Sequence, residues 1–217
     1  KAPGIWHVQS GDPADLAASW RAIQVLDRWH GTAVGTFSGD EHYAGLDPSR
    51  GFETCAVVEY MYSLEVLLEI AGEPALADRL ERIAYNALPA AFTPDMWAHQ
   101  YDQQVNQVLC TLAERHWVNN GPDSNLFGLE PNFGCCTANY HQGWPKLVRS
   151  MWMFGPDDAL ACLVHGPCDV SAELPGGRRL ELEVRTLYPF GERVELTVRG
   201  GGAAPLLLRV PSWAEGA

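Results

Sequence analysis

The sequence predicts a mainly α-helical protein with a C-terminal β part, and three observations support this fold class. Before residue 156 the apolar residues recur at helical spacing in several segments. From residue 156 onwards they alternate with charged residues at the two-residue spacing of half-buried antiparallel strands. Turn-forming segments rich in glycine and proline separate these strands, which is typical of part of a β-sandwich. We therefore predict two domains, residues 1–155 and residues 156–217.

Four amphipathic helices are predicted in the first domain. The first has an aspartate N-cap followed by a proline, Asp12 and Pro13, and a glycine marks its end. The second and third are joined by the short segment AGEP, so we expect them to form an antiparallel hairpin. A proline inside the fourth, Pro145, requires a kink or a later start. The predicted helices end before Gly31, extend from Val58 to Gly72, extend from Leu76 to Pro89, and cover about Ala138–Phe154.

Two strands of the second domain have the clearest alternation. Their apolar residues are Leu180, Leu182 and Val184 in one strand and Val194, Leu196 and Val198 in the other. Charged residues and a threonine occupy the intervening positions, so one face of each strand is expected to be buried and the other solvated. The segments PGGR, PFGE and GGGAAP supply the predicted turns.

The net charge and hydropathy of the chain exclude two classes of partner. The 217 residues include 15 Lys and Arg against 27 Asp and Glu, which gives a formal net charge of −12. This charge would repel a nucleic-acid backbone and an anionic membrane surface. No apolar run approaches the roughly 20 residues that span a bilayer. We therefore expect neither nucleic acid nor a membrane as partner. The six cysteines leave the compartment open, with the cytoplasm slightly favoured.

Two long irregular segments, Gly31–Cys55 and Phe92–Cys136, lie between the predicted helices, and each ends on a cysteine. Segments of this length without regular structure are uncommon unless they have a function. The first segment carries the carboxylates Asp40, Glu41 and Asp47. Taken singly, loop carboxylates are ordinary solvated side chains, so their position alone does not assign a role.

The adjacent cysteines of the stretch NFGCCTAN, Cys135 and Cys136, do not easily form a disulfide with each other. Consecutive Cα atoms lie about 3.8 Å apart, whereas disulfides prefer roughly 5.5 Å. Together with Glu53 and Cys55 they provide one carboxylate and three thiols, the number and type of ligands that suit tetrahedral zinc. On spacing alone, buried apolar thiols are the more common alternative.

Three ordered blocks of the sequence resemble the bacterial β-L-arabinofuranosidases of glycoside hydrolase family 127 and its relatives. They are GFETCAVVEYMYSLEVLLEIAGEPALADRLERIAYNALPA, NFGCCTANYHQGWPKLVRSMWMF and LLLRVPSWA. The resemblance implies that residues 1–155 are the later portion of an (α/α)6 barrel and that residues 156–217 begin a β-sandwich. It also implies that the remainder of a longer chain is required as a partner, so we expect this chain to be inactive alone.

The resemblance further implies a retaining glycosidase with an unusual nucleophile. In the family a Glu and a Cys of an E-T-C motif and both cysteines of a C-C motif bind zinc. The matching residues are Glu53, Cys55, Cys135 and Cys136, with Cys135 as the nucleophile. Thiolate is the reactive form of cysteine, and a metal lowers the pKa of a thiol from about 8.5, so zinc provides a thiolate at neutral pH.

A retaining mechanism also needs a group that protonates the leaving oxygen and later activates water. In the family this is a Glu in the loop before E-T-C, and the best match is Glu41, with Asp40 as its rival. Tyr101 resembles an active-site tyrosine that hydrogen-bonds near the nucleophile and is the expected substrate-binding residue. The expected substrate is a carbohydrate, a β-L-arabinofuranoside or a related plant-type glycan.

The sequence departs from the family pattern at one motif, because the usual C-C-P-P-N is here C-C-T-A-N. Two other classes of function remain open. A non-catalytic, zinc-stabilised carbohydrate-binding protein would keep the four ligands without an acid at Glu41, whereas a thiol redox protein would use Cys135 and Cys136 without metal.

Overall fold

The computed structural model describes residues 1–117, 119–128, 133–200 and 204–214. Helices dominate up to residue 150, with short strands between them, and strands dominate from residue 152 onwards. This agrees with the predicted mixed fold class. The helices are α1 Ala2–Ser10, α2 Pro13–His30, α3 Thr54–Ala71, α4 Pro74–Ala84, α5 Ala87–Ala90, α6 Gly134–Tyr140 and α7 Gly143–Ser150. The strands are β1 Gly39–Asp40, β2 His42–Tyr43, β3 Gly51–Glu53, β4 Asp102–Gln104, β5 Trp152–Phe154, β6 Leu160–Cys162, β7 Cys168–Leu174, β8 Arg178–Thr186, β9 Val194–Arg199 and β10 Leu206–Leu208.

The predicted start of α2 is confirmed. The Asp12 carboxylate accepts the backbone N–H of Ala14 at 2.8 Å, which satisfies one of the free donors at the helix start. The helix ends before Gly31, as predicted. The preceding helix, α1, was missed by the periodicity, although Gly11 ends it in the left-handed conformation with φ 68°.

The helices α3 and α4 pack against each other around the linker that contains Gly72, in agreement with the predicted hairpin. Their shared core contains side chains with essentially no solvent exposure, including Val57 and Leu64 of α3 and Leu80 and Ile83 of α4. Burying each such side chain contributes about 1.5–3 kcal/mol, so this pair forms the stable support for the β3–α3 junction.

The predicted C-terminal end of this hairpin is wrong. The helix α4 ends at Ala84, and Pro89 lies inside the separate short helix α5. The Asn86 side chain donates to the carbonyl of Arg82 at 2.7 Å, which satisfies an acceptor at the end of α4. Such local side-chain bonds compete with continuation of a helix.

For the helix predicted over about residues 138–154, the interruption required by Pro145 is confirmed, whereas the predicted end at Phe154 is wrong. The structure has α6, a break at His141 and Gln142, and then α7, which ends at Ser150. Pro145 lies in the first turn of α7, where its missing N–H breaks no intrahelical bond. Residues 152–154 instead form β5, which pairs with β6 in antiparallel fashion. A short apolar run is compatible with a helix or a strand, and the partner strand decides between them.

The strands form three sheets with the orders β2-β1-β3-β4, β10-β6-β5 and β7-β8-β9. In β8 the predicted inward residues Leu180, Leu182 and Val184 are all buried, and β9 pairs with β8 in antiparallel register. In β9 Val198 is 53% exposed, so the apolar face of that strand is only partly covered. Half of the predicted GGGAAP turn, residues 201–203, lies outside the described residues.

A buried arginine joins the C-terminal segment to α4. The guanidinium of Arg209, on a side chain only 3% exposed, pairs with both Asp78 and Glu81, and its Nε donates to the carbonyl of Leu163. Glu81 also accepts the hydroxyl of Tyr188 at 2.5 Å. These contacts connect the strands to the helical part. Within the described residues, no helix is both long and apolar enough to cross a membrane.

Candidate active site

The E-T-C segment lies where β3 meets α3. Glu53 ends the strand, Thr54 begins the helix, and Cys55 lies in its first turn. Thr54 is fully buried and its hydroxyl donates to the carbonyl of Gln100 at 2.8 Å, while its backbone N–H donates to the carbonyl of Tyr101 at 2.8 Å. This threonine, which the sequence analysis did not assign, therefore holds the segment before β4 against the ligand-bearing helix.

The C-C pair lies in the first turn of α6. The residue just before the first residue of α6, Phe133, adopts the left-handed conformation with φ 58°, which turns the chain sharply into the helix. Successive helical residues point about 100° apart, so the two thiols face different surroundings. Cys135 is exposed, whereas Cys136 has no solvent exposure.

The fold brings all four predicted ligands together. The nearest ligand atoms of Glu53, Cys55, Cys135 and Cys136 all lie within 4.8 Å of one another. The sulfurs of Cys55 and Cys136 are 3.1 Å apart, and the sulfurs of Cys135 and Cys136 each lie 3.9 Å from Glu53 Oε1.

This arrangement fits a tetrahedral metal ion. Ligands at the usual zinc–sulfur distance of about 2.3 Å have sulfurs about 3.8 Å apart in a tetrahedron. The sulfurs of Cys55 and Cys136, at 3.1 Å, are closer than that value, and a bound ion would move them apart by less than about 1 Å. A Glu-Cys-Cys-Cys cluster could therefore bind a metal, and its thiol-rich chemistry favours a soft or borderline ion.

The ionisation of the cluster depends on its own members. Burial, followed by the negative charge of Glu41, raises the pKa of Glu53. The pKa of Cys55 is lowered, mainly because the thiol of Cys136 donates to its sulfur. For the same reason, and because of burial, the pKa of Cys136 is raised. Burial and the neighbouring Cys55 raise the pKa of Cys135 to about 11. Without a cation, the cluster therefore resists forming three thiolates together.

Two residues of the C-C-T-A-N motif, the shared Asn139 and the divergent Thr137, have hydrogen-bonding partners around the ligand cluster. Asn139 donates from Nδ2 to the sulfur of Cys55 at 3.4 Å, so the final residue of the motif contacts a predicted ligand directly. The hydroxyl of Thr137 lies 2.8 Å from Nε2 of the buried His99. The threonine thus anchors α6 to the segment that carries Tyr101.

Tyr101 and Glu41, the predicted substrate-binding residue and acid/base, are in direct contact. The buried Tyr101 donates its hydroxyl to Glu41 Oε1 at 2.8 Å, and its ring lies 4.3 Å from that of Phe133. Burial and this donated hydrogen bond raise the pKa of Tyr101, and the carboxylate of Glu53 acts in the same direction. The tyrosine therefore connects Glu41 to the ligand cluster.

Asp40, the rival of Glu41, faces different partners. Its carboxylate is buried and accepts hydrogen bonds from the backbone of Asn119 and from Asn120, whose Nδ2 lies 2.5 Å from Oδ1.

Burial, and then the neighbouring Asp40, raises the pKa of Asp102 to about 10, so Asp102 is a neutral acid at physiological pH. The two asparagines and Asp102 were missed by the sequence analysis because no local motif marks them.

Comparisons with known proteins identify a family and a fold for this chain. The family profile described as the catalytic domain of GH127 β-L-arabinofuranosidases matches residues 6–149. The crystal structure of Ara127N-Se, a GH127 β-L-arabinofuranosidase from Geobacillus stearothermophilus T6, is similar with a TM-score of 0.75 and 21% identity over 98% of this chain and 34% of that chain. A structure described as a glycoside hydrolase is similar with a TM-score of 0.70 and 16% identity over 88% of this chain and 35% of that one.

The chain thus spans about a third of the length of these two structures. At these identities the structural likeness establishes the fold alone. None of the curated proteins compared with the chain matches it.

Proposed function

Because the chain belongs to the GH127 β-L-arabinofuranosidase catalytic-domain family, we propose that it carries the active site of a retaining glycoside hydrolase. The substrate class is β-L-arabinofuranosides or related plant-type glycans, and the full-length protein performs the reaction. Cys135 is the nucleophile, Glu41 is the acid/base, and Tyr101 contacts the substrate. Zinc is the proposed metal.

The single observation that carries this proposal is the exposure of one thiol of the ligand cluster. Cys135 is exposed while the adjacent Cys136 is fully buried, although both belong to the same four-residue cluster. A sugar can approach only a sulfur that faces solvent. The accessible, metal-ligating thiol is therefore the proposed nucleophile, and the buried one is a ligand alone.

The proposed nucleophile and acid/base both belong to this chain, and together they account for the bonds made and broken in the two steps of the proposed reaction. A zinc ion held by Glu53, Cys55, Cys135 and Cys136 would keep the attacking sulfur as a thiolate at neutral pH. In the first step a bond forms between the Cys135 sulfur and the anomeric carbon, the bond from that carbon to the leaving oxygen breaks, and Glu41 gives its proton to that oxygen. In the second, Glu41 takes a proton from water, the water oxygen attacks the same carbon, and the carbon–sulfur bond breaks with return of the thiolate.

Tyr101 has a defined part in this scheme. Its hydroxyl donates to Glu41 Oε1 at 2.8 Å, so it holds one carboxylate oxygen while the other is free to face the leaving group. Glu41 itself is exposed, as a group that exchanges protons with substrate and water has to be.

We also propose the domain organisation that the family implies. Residues 1–155 form the later portion of an (α/α)6 barrel and residues 156–217 begin a β-sandwich. A helical core around α3 and α4 and a second apolar cluster that includes Leu174 and Leu182 support two domains, and the β5–β6 pairing connects them across residue 155.

A covalent labelling experiment tests the proposed nucleophile. The full-length protein is treated with a mechanism-based arabinofuranose electrophile and digested, and the modified peptide is sequenced by mass spectrometry. We expect a thioether on Cys135 that is lost in Cys135→Ser. The matched control is Cys110→Ser, which changes a half-buried cysteine outside the ligand cluster and should label normally. An adduct on Glu53, or labelling that survives Cys135→Ser, would contradict the proposal and favour a two-carboxylate glycosidase.

One observation favours a second candidate, a thiol redox protein. The sulfurs of Cys55 and Cys136 are only 3.1 Å apart, close enough for thiol–disulfide exchange without a metal. Metal analysis separates the candidates, because the redox protein would be isolated without zinc. Its exposed thiol, Cys135, would then react with a thiol reagent in the absence of a chelator.

A further inference from the structure

The proposed acid/base occupies an unfavourable backbone conformation. Glu41 has φ 66°, in the left-handed region that L-residues other than glycine, asparagine and aspartate seldom adopt. It forms the apex of the tight connection between β1 and β2, where Asp40 faces His42 and Gly39 faces Tyr43. A residue persists in such a conformation only when surrounding contacts enforce it.

Those contacts come from a segment far away in sequence. Asn119 donates from its side-chain Nδ2 to the backbone carbonyl of Asp40 at 2.5 Å. That carbonyl belongs to the peptide that joins Asp40 to Glu41, and the orientation of this peptide plane is what φ of Glu41 describes. The amide of Asn119 therefore holds the dihedral angle that is strained.

The same segment also holds the side chain of Asp40. The backbone N–H of Asn119 donates to Asp40 Oδ2, and Asn120 donates from Nδ2 to Oδ1 at 2.5 Å and from its backbone to Oδ2 at 3.3 Å. Asp40 is only 1% exposed, so these bonds are shielded from water. Hydrogen bonds on both the carbonyl and the carboxylate leave Asp40 little freedom to rotate.

Glu41 is thus held from two directions. Asn119 determines where its backbone points, and the hydroxyl of Tyr101 determines where one carboxylate oxygen lies. The tyrosine contact alone does not specify the backbone, because a glutamate side chain has three rotatable bonds and reaches the same point from several backbone conformations.

We propose that Asn119 is a positioning residue for the acid/base Glu41, holding the Asp40–Glu41 peptide so that the carboxylate faces the leaving oxygen of the sugar. This inference rests on the proposed hydrolase function and extends it to a residue outside the family motifs. Asn119 donates its hydrogen bonds to Asp40, and not to the ligand cluster or the nucleophile.

The kinetic test uses the full-length protein and two substrates with different leaving groups. A 4-nitrophenyl β-L-arabinofuranoside leaves readily without a proton, whereas an alkyl β-L-arabinofuranoside needs general acid help. For Asn119→Ala we expect kcat/KM to fall about 10- to 100-fold with the alkyl substrate and to change by less than about threefold with the 4-nitrophenyl substrate. Zinc content should equal that of the wild type.

Two further variants separate positioning from loss of structure. Asn119→Asp keeps the shape of the side chain but removes the Nδ2 donor, so it should behave like Asn119→Ala. Asn106→Ala makes the same change at an exposed asparagine of the segment after β4 and should behave like the wild type. An equal loss with both substrates, reduced zinc content or wild-type kinetics in Asn119→Ala would overturn the inference.

A crystallographic comparison decides the inference independently of activity. In Asn119→Ala we expect Glu41 to leave the left-handed region or its contact with Tyr101 to lengthen from 2.8 Å to beyond about 3.5 Å. An unchanged Glu41 would overturn the inference even if the enzyme were active. Absence of turnover by the wild type would overturn the proposed function, and the structures would still decide the role of Asn119.

Discussion

Replacing Cys136 with serine tests whether the ligand cluster binds zinc. Cys136 has no solvent exposure, and its sulfur lies 3.1 Å from that of Cys55 and 3.9 Å from Glu53 Oε1. Serine has nearly the same shape, but its neutral hydroxyl is a much poorer zinc ligand than a thiolate. The substitution therefore removes one of four ligands with little change in packing.

The expected size of the effect follows from the ligand count. Structural zinc binds with an apparent free energy of about 10–16 kcal/mol at pH 7, which divided over four ligands is about 2.5–4 kcal/mol each. At 1.4 kcal/mol per factor of ten, Cys136→Ser should weaken zinc binding roughly 100- to 1,000-fold. Because zinc stabilises only the folded state, the free energy of unfolding at saturating zinc falls with it.

The assay measures zinc affinity by competition with a chromophoric chelator, together with metal content by mass spectrometry. The matched control is Cys162→Ser, the same change at a cysteine only 3% exposed whose sulfur contacts the carbonyl of Val164 and Nδ1 of His165. This control carries the cost of burying a hydroxyl, about 1–3 kcal/mol, without loss of a ligand. Unchanged zinc affinity in Cys136→Ser, or an equal loss in Cys162→Ser, would refute the reasoning.

Three further predictions concern hydrogen bonding and buried charge. Tyr101→Phe removes the hydrogen bond to Glu41, worth about 1.5–3 kcal/mol, so kcat/KM should fall about 10- to 100-fold with unchanged zinc content. Burial raises the pKa of Glu65 from 4.5 to about 7, so its contribution to stability is complete below pH 4.5 and is lost as the pH rises through 7. This loss is about 3 kcal/mol in the free energy of unfolding, and Glu65→Gln should abolish it. Thermal melting of both proteins at pH 5 and pH 8 measures the difference. Arg209→Met leaves the carboxylate of Glu81 buried without its cationic partner, so chemical denaturation should show a loss of about 3–5 kcal/mol in the free energy of unfolding.

A specific result would contradict each of these three predictions. Loss of zinc in Tyr101→Phe would mean that the tyrosine supports the ligands and not Glu41. A Glu65→Gln protein that still loses wild-type stability between pH 5 and pH 8 would assign the pH dependence to another group. If the double variant Arg209→Met with Glu81→Gln is no more stable than Arg209→Met alone, the stranded charge is not the cause of the loss.

The elements with local end signals could be predicted from the sequence. The start of α2 depends on Asp12, and the end of α3 depends on Gly72, which has φ 63°. These residues act on their immediate neighbours, so their effect does not require the rest of the fold. The alternation in β8 was equally local, and its apolar residues are buried as predicted.

The errors arose where individual hydrogen-bonded contacts, one long-range and one local, select between two possible structures. Residues 152–154 are apolar and suit a helix or a strand, and pairing with β6 decided for the strand. The end of α4 depended on Asn86, whose side chain takes an acceptor of that helix. The intrinsic helix or strand propensity of a short segment is smaller than the free energy of such contacts, so the contacts decide the structure.

For the site, the sequence by itself determined the chemical types and their short spacings: a carboxylate two residues before a thiol, a pair of adjacent thiols, and a loop with neighbouring carboxylates. Only the tertiary structure decided that these segments meet, that Cys135 is exposed while Cys136 is buried, and that Glu41 contacts Tyr101 while Asp40 faces Asn119. The physical reason is that adjacent residues are close in the chain but their side chains point in different directions, about 100° apart in the helix that carries Cys135 and Cys136. The direction that faces the site is set by packing and hydrogen bonds from segments about 60 to 80 residues away.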